Sequence, residues 1–149
     1  MLLKSVLFLC TGNSARSVLA EAYLNHAGGG RFKAYSAGSQ PAGKVNPLAL
    51  QLLSAKGIRT AGFRSKSWNE FASMPLDLIF TVCDNAAAET CPVWPGKPAT
   101  AHWGVPDPAA VQGSDAEKRA AFERAYVALS RRIERLIALP VETLDRQTL

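Results

Sequence analysis

Cys10 and Arg16 are separated by Thr11, Gly12, Asn13, Ser14 and Ala15, and Ser17 follows. The five intervening residues are enough for the backbone to curl into a ring of inward N–H donors. Gly12 and Asn13 tolerate the left-handed angles such a nest requires. Arg16 would close the cradle with a planar fork matched to two oxygens of a tetrahedral anion. A helix starting here adds unpaired amides and a partial positive charge. The same field acts on Cys10: a free thiol titrates near ~8.5, but beside a cation at a helix N-terminus it falls to roughly 3.5–7.5. Ser17 is close enough in sequence to donate a hydrogen bond to that sulfur. The expected product is a thiolate nucleophile at the floor of an oxyanion-binding cup spanning Thr11 to Ser17. Walker-type phosphate binding is not supported, because no G-x-x-x-x-G-K-[ST] run occurs.

Two further cysteines and one acid complete the candidate chemistry. Cys83 follows an apolar run much as Cys10 does. If the two runs are neighbouring parallel strands in similar register, the Cα atoms would lie roughly 5 Å apart, inside the ~4.4–6.8 Å window for a disulfide. Cys91 comes after Asp84-Asn85-Ala86-Ala87-Ala88-Glu89-Thr90 and before Pro92. A helix over that stretch would hold the two backbones ~12 Å apart, so a Cys83–Cys91 bond requires the turn to unwind. So short a helix is marginal by itself, which makes unwinding cheap. The spacings of Cys83, Cys91 and His102 match no common structural-zinc pattern, and no metal is expected. Asp107, between Pro106 and Pro108, could protonate a leaving oxygen if burial or a nearby thiolate raises its pKa; a plain turn-forming role is the alternative. His102 and Trp103 read as packing residues at a strand end.

These groups need a scaffold that brings them to one edge. Short apolar runs at 4–9, 32–37, 76–82 and 99–103 read as strands. Val18, Leu19, Ala22, Tyr23 and Ala27 recur at helical spacing after Arg16, and Gly28-Gly29-Gly30 ends that pattern. Asn46-Pro47 has the form of a helix N-cap followed by proline at the first helical position, with Gly57 as the stop. Ser67-Trp68-Asn69-Glu70 has the form of a capping box for a brief helix ending at Pro75. Phe122, Tyr126, Leu129, Ile133 and Leu136 form one stripe of a last helix over about 115–139. Strands alternating with helices imply right-handed crossovers, a parallel sheet and helices on both faces. Ligands then bind beyond the carboxyl ends of the strands, where the winding reverses. That rule points to the residues following Leu9, Val82 and Trp103.

The chain has 149 residues, enough for one domain with a full core and too few for two ordinary ones. Apolar residues make up 48% and the mean hydropathy is 0.00, which excludes disorder and fibrous structure. No apolar run approaches the ~20 residues that span a bilayer, so no membrane role is expected. The +5 net charge favours anions without naming one. Arg131, Arg132 and Arg135 read as the solvated face of a helix, and without interleaved aromatics no nucleic-acid role is expected. The apolar stretch 6–9 is too short for a signal core, and bulky Leu9 stands where processing before Cys10 needs a small residue. Three cysteines do not make a closed disulfide framework, so a reducing, cytoplasmic setting is expected.

Cys10 to Ser17 resembles the signature loop of the low-molecular-weight protein tyrosine phosphatase fold. Thr81-Val82-Cys83 with Glu89-Thr90-Cys91-Pro92, and His102-Trp103-Gly104 with Asp107-Pro108-Ala109, resemble more narrowly the thioredoxin-coupled arsenate reductases. Ser36-Ala37-Gly38 and Asn46-Pro47 extend the likeness over nearly the whole chain. The fold expected is a single three-layer α/β domain over 1–149, with a four-stranded parallel sheet in the order 2-1-3-4 and helices on both faces. The resemblance implies that Cys10 attacks arsenate held by the loop amides and Arg16 while Asp107 protonates the departing oxygen. It further implies that Cys83 attacks Cys10 and releases arsenite, and that Cys91 then attacks Cys83 to leave a Cys83–Cys91 bridge for a reductant. Thioredoxin, or glutathione with glutaredoxin, is the implied electron donor, and phosphate or sulfate would mimic the substrate; no organic cofactor is expected, and the small size of the fold favours a monomer. The Cys83–Cys91 spacing is one residue longer than is usual in that group. Some members bind potassium through positions matching Asn13, Glu21, Ser36 and a downstream acid, where this chain has Ser67 with Lys66 beside it. The alternative activity is that of a tyrosine phosphatase using the same Cys10, Arg16 and Asp107. Against it, such enzymes carry an aromatic pair just after the acid, whereas Asp107 is followed by Pro108-Ala109-Ala110.

Overall fold

Along β1 (Lys4–Cys10) successive side chains enter opposite faces of the sheet, and from Val6 onward every one is buried. A strand covered on both sides reads as an unbroken apolar run rather than an alternating one. The computed structural model describes residues 4–10, 13, 15–28, 31–38, 43–58, 60, 63–71, 74, 76–82, 99–105, 108 and 111–138. Beside β1 lie β2 (Phe32–Gly38) and β3 (Leu78–Thr81), and β4 (Ala99–His102) adds to β3. All three pairings are parallel, in the order β2-β1-β3-β4. The register runs Cys10↔Gly38 on one side of β1 and Leu9↔Thr81 on the other. The winding reverses at β1, so the crevice for a ligand opens at the end of β1, where Cys10 sits.

Among the described residues three α-helices accompany the sheet: α1 (Arg16–Ala27), α2 (Pro47–Ala55) and α3 (Asp115–Ala138). Their apolar faces join Val6, Phe8, Leu78 and Phe80 in one core, to which α3 contributes Phe122, Leu129, Ile133 and Leu136. Tyr126, expected on the same stripe, is half-buried and stands edge-on to Tyr23 of α1 at 5.6 Å. On the opposite face Leu7, Leu9, Ala37 and Ile79 pack with Leu76 and with Phe71 of a 3₁₀ turn (Trp68–Phe71). The layered parallel fold and its strand order match the expectation.

Local signals were met with two changes. Asn46 caps α2 by accepting the Leu48 N–H at 2.9 Å, with Pro47 at the first helical position, and Gly57 ends the helix at φ +75°, an angle that favours glycine. The capping box at Ser67 does not close. Ser67 Oγ accepts the Asn69 N–H at 3.1 Å, but the Glu70 carboxylate turns outward to Arg64, with Oε2 at 2.9 Å from Nη1. A guanidinium fork competes better for a carboxylate than one main-chain N–H does, and the segment settles into a single 3₁₀ turn. The third strand is also shorter than 76–82, because Asp77 folds against Ser5: its N–H donates to Ser5 O at 2.9 Å, and its Oδ2 accepts the Ser5 N–H at 2.8 Å.

Candidate functional site

Cys10 ends β1 with 5% of its surface exposed. Asn13 is fully buried and adopts φ +46°, the left-handed angle expected for the loop. Its side chain stabilises that conformation from both ends. Nδ2 donates to Ser17 Oγ at 2.9 Å, and Oδ1 accepts the Lys66 N–H at 2.8 Å. Ser17, also fully buried, thus has its oxygen occupied by Asn13, which leaves its hydroxyl proton for another acceptor.

Ala15 precedes α1 and offers no side-chain cap, and the first turn holds no acidic residue. The leading amides of α1 therefore point their partial positive charge at the space after β1. Arg16 is the first residue of α1, and its Nη1 donates to Val105 O at 2.8 Å. Val105 lies just past β4, held to the sheet edge by its own N–H, which donates to Val82 O at 3.2 Å. Arg16 accordingly spans the carboxyl end of the sheet from α1 to the segment that follows the fourth strand.

Beneath the loop is a second polar group. Glu21, one helical turn after Ser17, accepts a short hydrogen bond from the Ser36 hydroxyl on β2. Lys66 Nζ lies 3.9 Å from the same Glu21 oxygen. Burial pushes the Glu21 carboxyl above its usual range, and the Ser36 hydrogen bond and the Lys66 charge only partly offset it. Burial likewise pushes the Lys66 ammonium down, against the pull of Glu21.

At the far edge Trp103 packs as expected: its ring stacks on Phe80 at 3.9 Å, and Phe80 stacks on Phe8 at 5.6 Å. His102, expected to pack with it, is exposed instead, with Nδ1 2.7 Å from Thr81 Oγ1. Strand alternation explains the difference, since adjacent residues point to opposite faces.

The structure therefore brings Cys10, Asn13, Ala15, Arg16 and Ser17 together. Thr11, Gly12, Ser14, Cys83, Cys91 and Asp107 lie outside the described residues. The ladder toward Cys83 is described as far as Val82, whose N–H donates to Leu9 O at 2.9 Å. One participant and one contact were not legible in the sequence. Val105 acts through its carbonyl, which no residue type announces. The Glu21–Lys66 pair joins positions far apart in the chain, although Glu21 stands four residues from Ser17 and so shares its helix face. No group of three His, Cys, Asp or Glu residues that could hold a metal occurs among the described residues. Nor, among them, is any helix long and apolar enough to cross a membrane.

Comparison with known proteins places this geometry in context. Residues 5–148 match the family model of the low molecular weight phosphotyrosine protein phosphatases. An arsenate reductase of Halalkalibacterium halodurans is 37% identical over 131 residues, covering 88% of this chain and 93% of that protein. The crystal structure of an arsenate reductase from Archaeoglobus fulgidus superposes with a TM-score of 0.72 at 30% identity, covering 90% of this chain and 99% of that one. A thioredoxin-dependent arsenate reductase from Corynebacterium glutamicum superposes with a TM-score of 0.64 at 27% identity, covering 91% of this chain and 62% of that one.

Proposed function

The chain belongs to the low molecular weight phosphotyrosine protein phosphatase family, and we propose that within it the protein is an arsenate reductase working through Cys10, Cys83 and Cys91. One observation carries this reading: a buried cysteine at the sheet's switch point, followed by a left-handed Asn13 and an uncapped helix that begins with an arginine. A helix start of that kind binds a tetrahedral oxyanion and favours the thiolate beside it. The similarity to arsenate reductases selects the oxyanion.

In the proposed reaction the Cys10 thiolate attacks arsenic, and one arsenate oxygen leaves as water after taking a proton from Asp107. Cys83 then attacks the Cys10 sulfur. The As–S bond breaks with its electron pair remaining on arsenic, arsenite departs, and a Cys10–Cys83 disulfide forms. Cys91 attacks Cys83 and expels the Cys10 thiolate, leaving a Cys83–Cys91 disulfide. An external dithiol, thioredoxin or a glutathione-coupled glutaredoxin, takes up that disulfide and closes the cycle. Two thiols are oxidised for each arsenate reduced. Arg16 contributes the charge and the planar donors that orient the anion over Cys10. The protein acts as a monomer in the cytoplasm, with phosphate or sulfate competing for the cup.

The family match also favours a second activity, hydrolysis of phosphate monoesters, which needs Cys10, Arg16 and Asp107 but no relay. NADPH-coupled arsenate turnover separates the two readings, run once with thioredoxin and its reductase and once with glutathione and glutaredoxin. Cys83→Ser is expected to abolish multiple turnover of arsenate while leaving any hydrolysis of p-nitrophenyl phosphate intact, whereas Cys10→Ser removes both. Normal cycling by both Cys83→Ser and Cys91→Ser would rule out the relay.

A further inference from the structure

Glu21 and Lys66 play no part in the chemistry above, yet both are largely withdrawn from water, with side chains 14% and 9% exposed. Glu21 Oε1 accepts the Ser36 hydroxyl from β2 and faces Lys66 Nζ at 3.9 Å. The ammonium also donates to Arg64 O at 3.2 Å. The main chain of Lys66 belongs to the same construction. Its N–H donates to Asn13 Oδ1 at 2.8 Å, and its carbonyl accepts the Gly38 N–H at 2.9 Å, at the end of β2. One residue thus ties the segment after α2 to the loop, to α1 and to the sheet edge.

Burial raises the Glu21 carboxyl and lowers the Lys66 ammonium, and the attraction between the two opposes both shifts. The surrounding charges do not change that balance: Lys33 and Arg64 act on Glu21, and Arg64 and Glu70 act on Lys66. What the pair does provide is an anchor. The side chain of Lys66 draws its own peptide against α1, and that peptide holds the side chain of Asn13.

We infer that Lys66 is a positioning residue for the oxyanion loop: its ammonium, set against Glu21, pins the main-chain N–H that clamps Asn13 in its left-handed conformation. The inference rests on the reading of Cys10 to Ser17 as an oxyanion cup. Lys66 acts through Asn13, whose Oδ1 accepts its main-chain N–H. Replacing it by methionine removes the charge, keeps the apolar stem and strands the Glu21 carboxylate. Removing both charges leaves no stranded group, and the segment can pack back.

The test is calorimetric titration of the reduced full-length protein with inorganic phosphate, alongside the alkylation rate of Cys10 read by mass spectrometry. Lys66→Met is expected to bind phosphate about tenfold more weakly than wild type and to alkylate more slowly. Glu21→Gln/Lys66→Met is expected to recover at least threefold of that loss, the non-additivity of a coupled pair. Thermal melting accompanies each variant, because a purely structural role would lower the melting temperature and leave phosphate affinity unchanged. Should Lys66→Met fail to fold, the double variant and Lys66→Arg, which keeps the charge but moves it, carry the comparison with wild type. Equal phosphate affinity in wild type and Lys66→Met, or a double variant that binds no more tightly than Lys66→Met, would overturn the inference alone. Failure of the wild type to take up phosphate would overturn the reading of the loop itself.

Discussion

Asn13 carries more of the site's shape than its size suggests. It supplies a left-handed backbone angle, a donor for Ser17 and an acceptor for the Lys66 N–H, all in full burial. Asn13→Ala loses both hydrogen bonds, each worth about 1 kcal/mol, and puts a side chain that disfavours φ +46° there at a further cost of about 1–2 kcal/mol. The expected loss is therefore roughly 3–4 kcal/mol in urea unfolding. Asn13→Gly keeps the backbone angle and should lose only the hydrogen-bond part. Equal stability of the two variants would show that the angle carries no strain. Cys10 and Arg16 stood out as candidates by their types and spacing, because a thiol, a small-residue ring and a guanidinium make chemical sense together. The clamp on Asn13 was not, since its partner is a peptide N–H in a distant segment.

At the scale of elements, the caps and the outward-facing pairs decide where segments begin and turn. Asn46 caps α2 through one hydrogen bond to the Leu48 N–H, and Asn46→Ala should cost about 1 kcal/mol. In a chain of this length that lowers the melting temperature by roughly 2–4 °C, with no effect on anion binding. The Arg64–Glu70 pair holds the approach to the 3₁₀ turn from the solvent side. The hydrogen bond from Arg64 keeps the Glu70 carboxyl below its usual 4.5. A carboxyl lowered on folding stabilises the folded state above its unfolded value, and that contribution disappears as pH falls through the lowered one. Wild type and Glu70→Gln should accordingly melt slightly apart at neutral pH and converge in acid, a difference kept small by full exposure. Melting curves that converge at neutral pH and separate in acid would reverse the assignment. The helix stripes and the Asn46-Pro47 start were plain in the sequence. The failed capping box at Ser67 was not, because Glu70 had a competing partner outside its own turn.

For the whole molecule, the decisive fact is where the winding direction changes. β2 lies on one side of β1 and β3 on the other, so the end of β1 is the switch point at which such sheets bind ligands. At that end the first turn of α1 and the segment after β4 are joined by the Arg16–Val105 hydrogen bond at 2.8 Å. The aromatic stack of Phe8, Phe80 and Trp103 makes the strand ends a rigid support for Cys10. The relay proposed above divides the labour between a nucleophile held on the sheet and the two cysteines that would exchange with it. The coupled assay with two electron donors tests that division for the intact chain. Its outcome also decides which class of reductant the Cys83–Cys91 disulfide would meet.

Strand and helix identity and the candidate thiol–arginine loop were legible as local pattern, because periodicity, caps and residue chemistry are written along neighbouring positions. The pairing of Glu21 with Lys66, the reach of Arg16 to a carbonyl eighty-nine residues away, and the outward turn of Glu70 did not. Those contacts join segments distant in the chain and often use main-chain atoms, which look alike in every residue. Only folding, by choosing which peptide lies beside which charge, settles them.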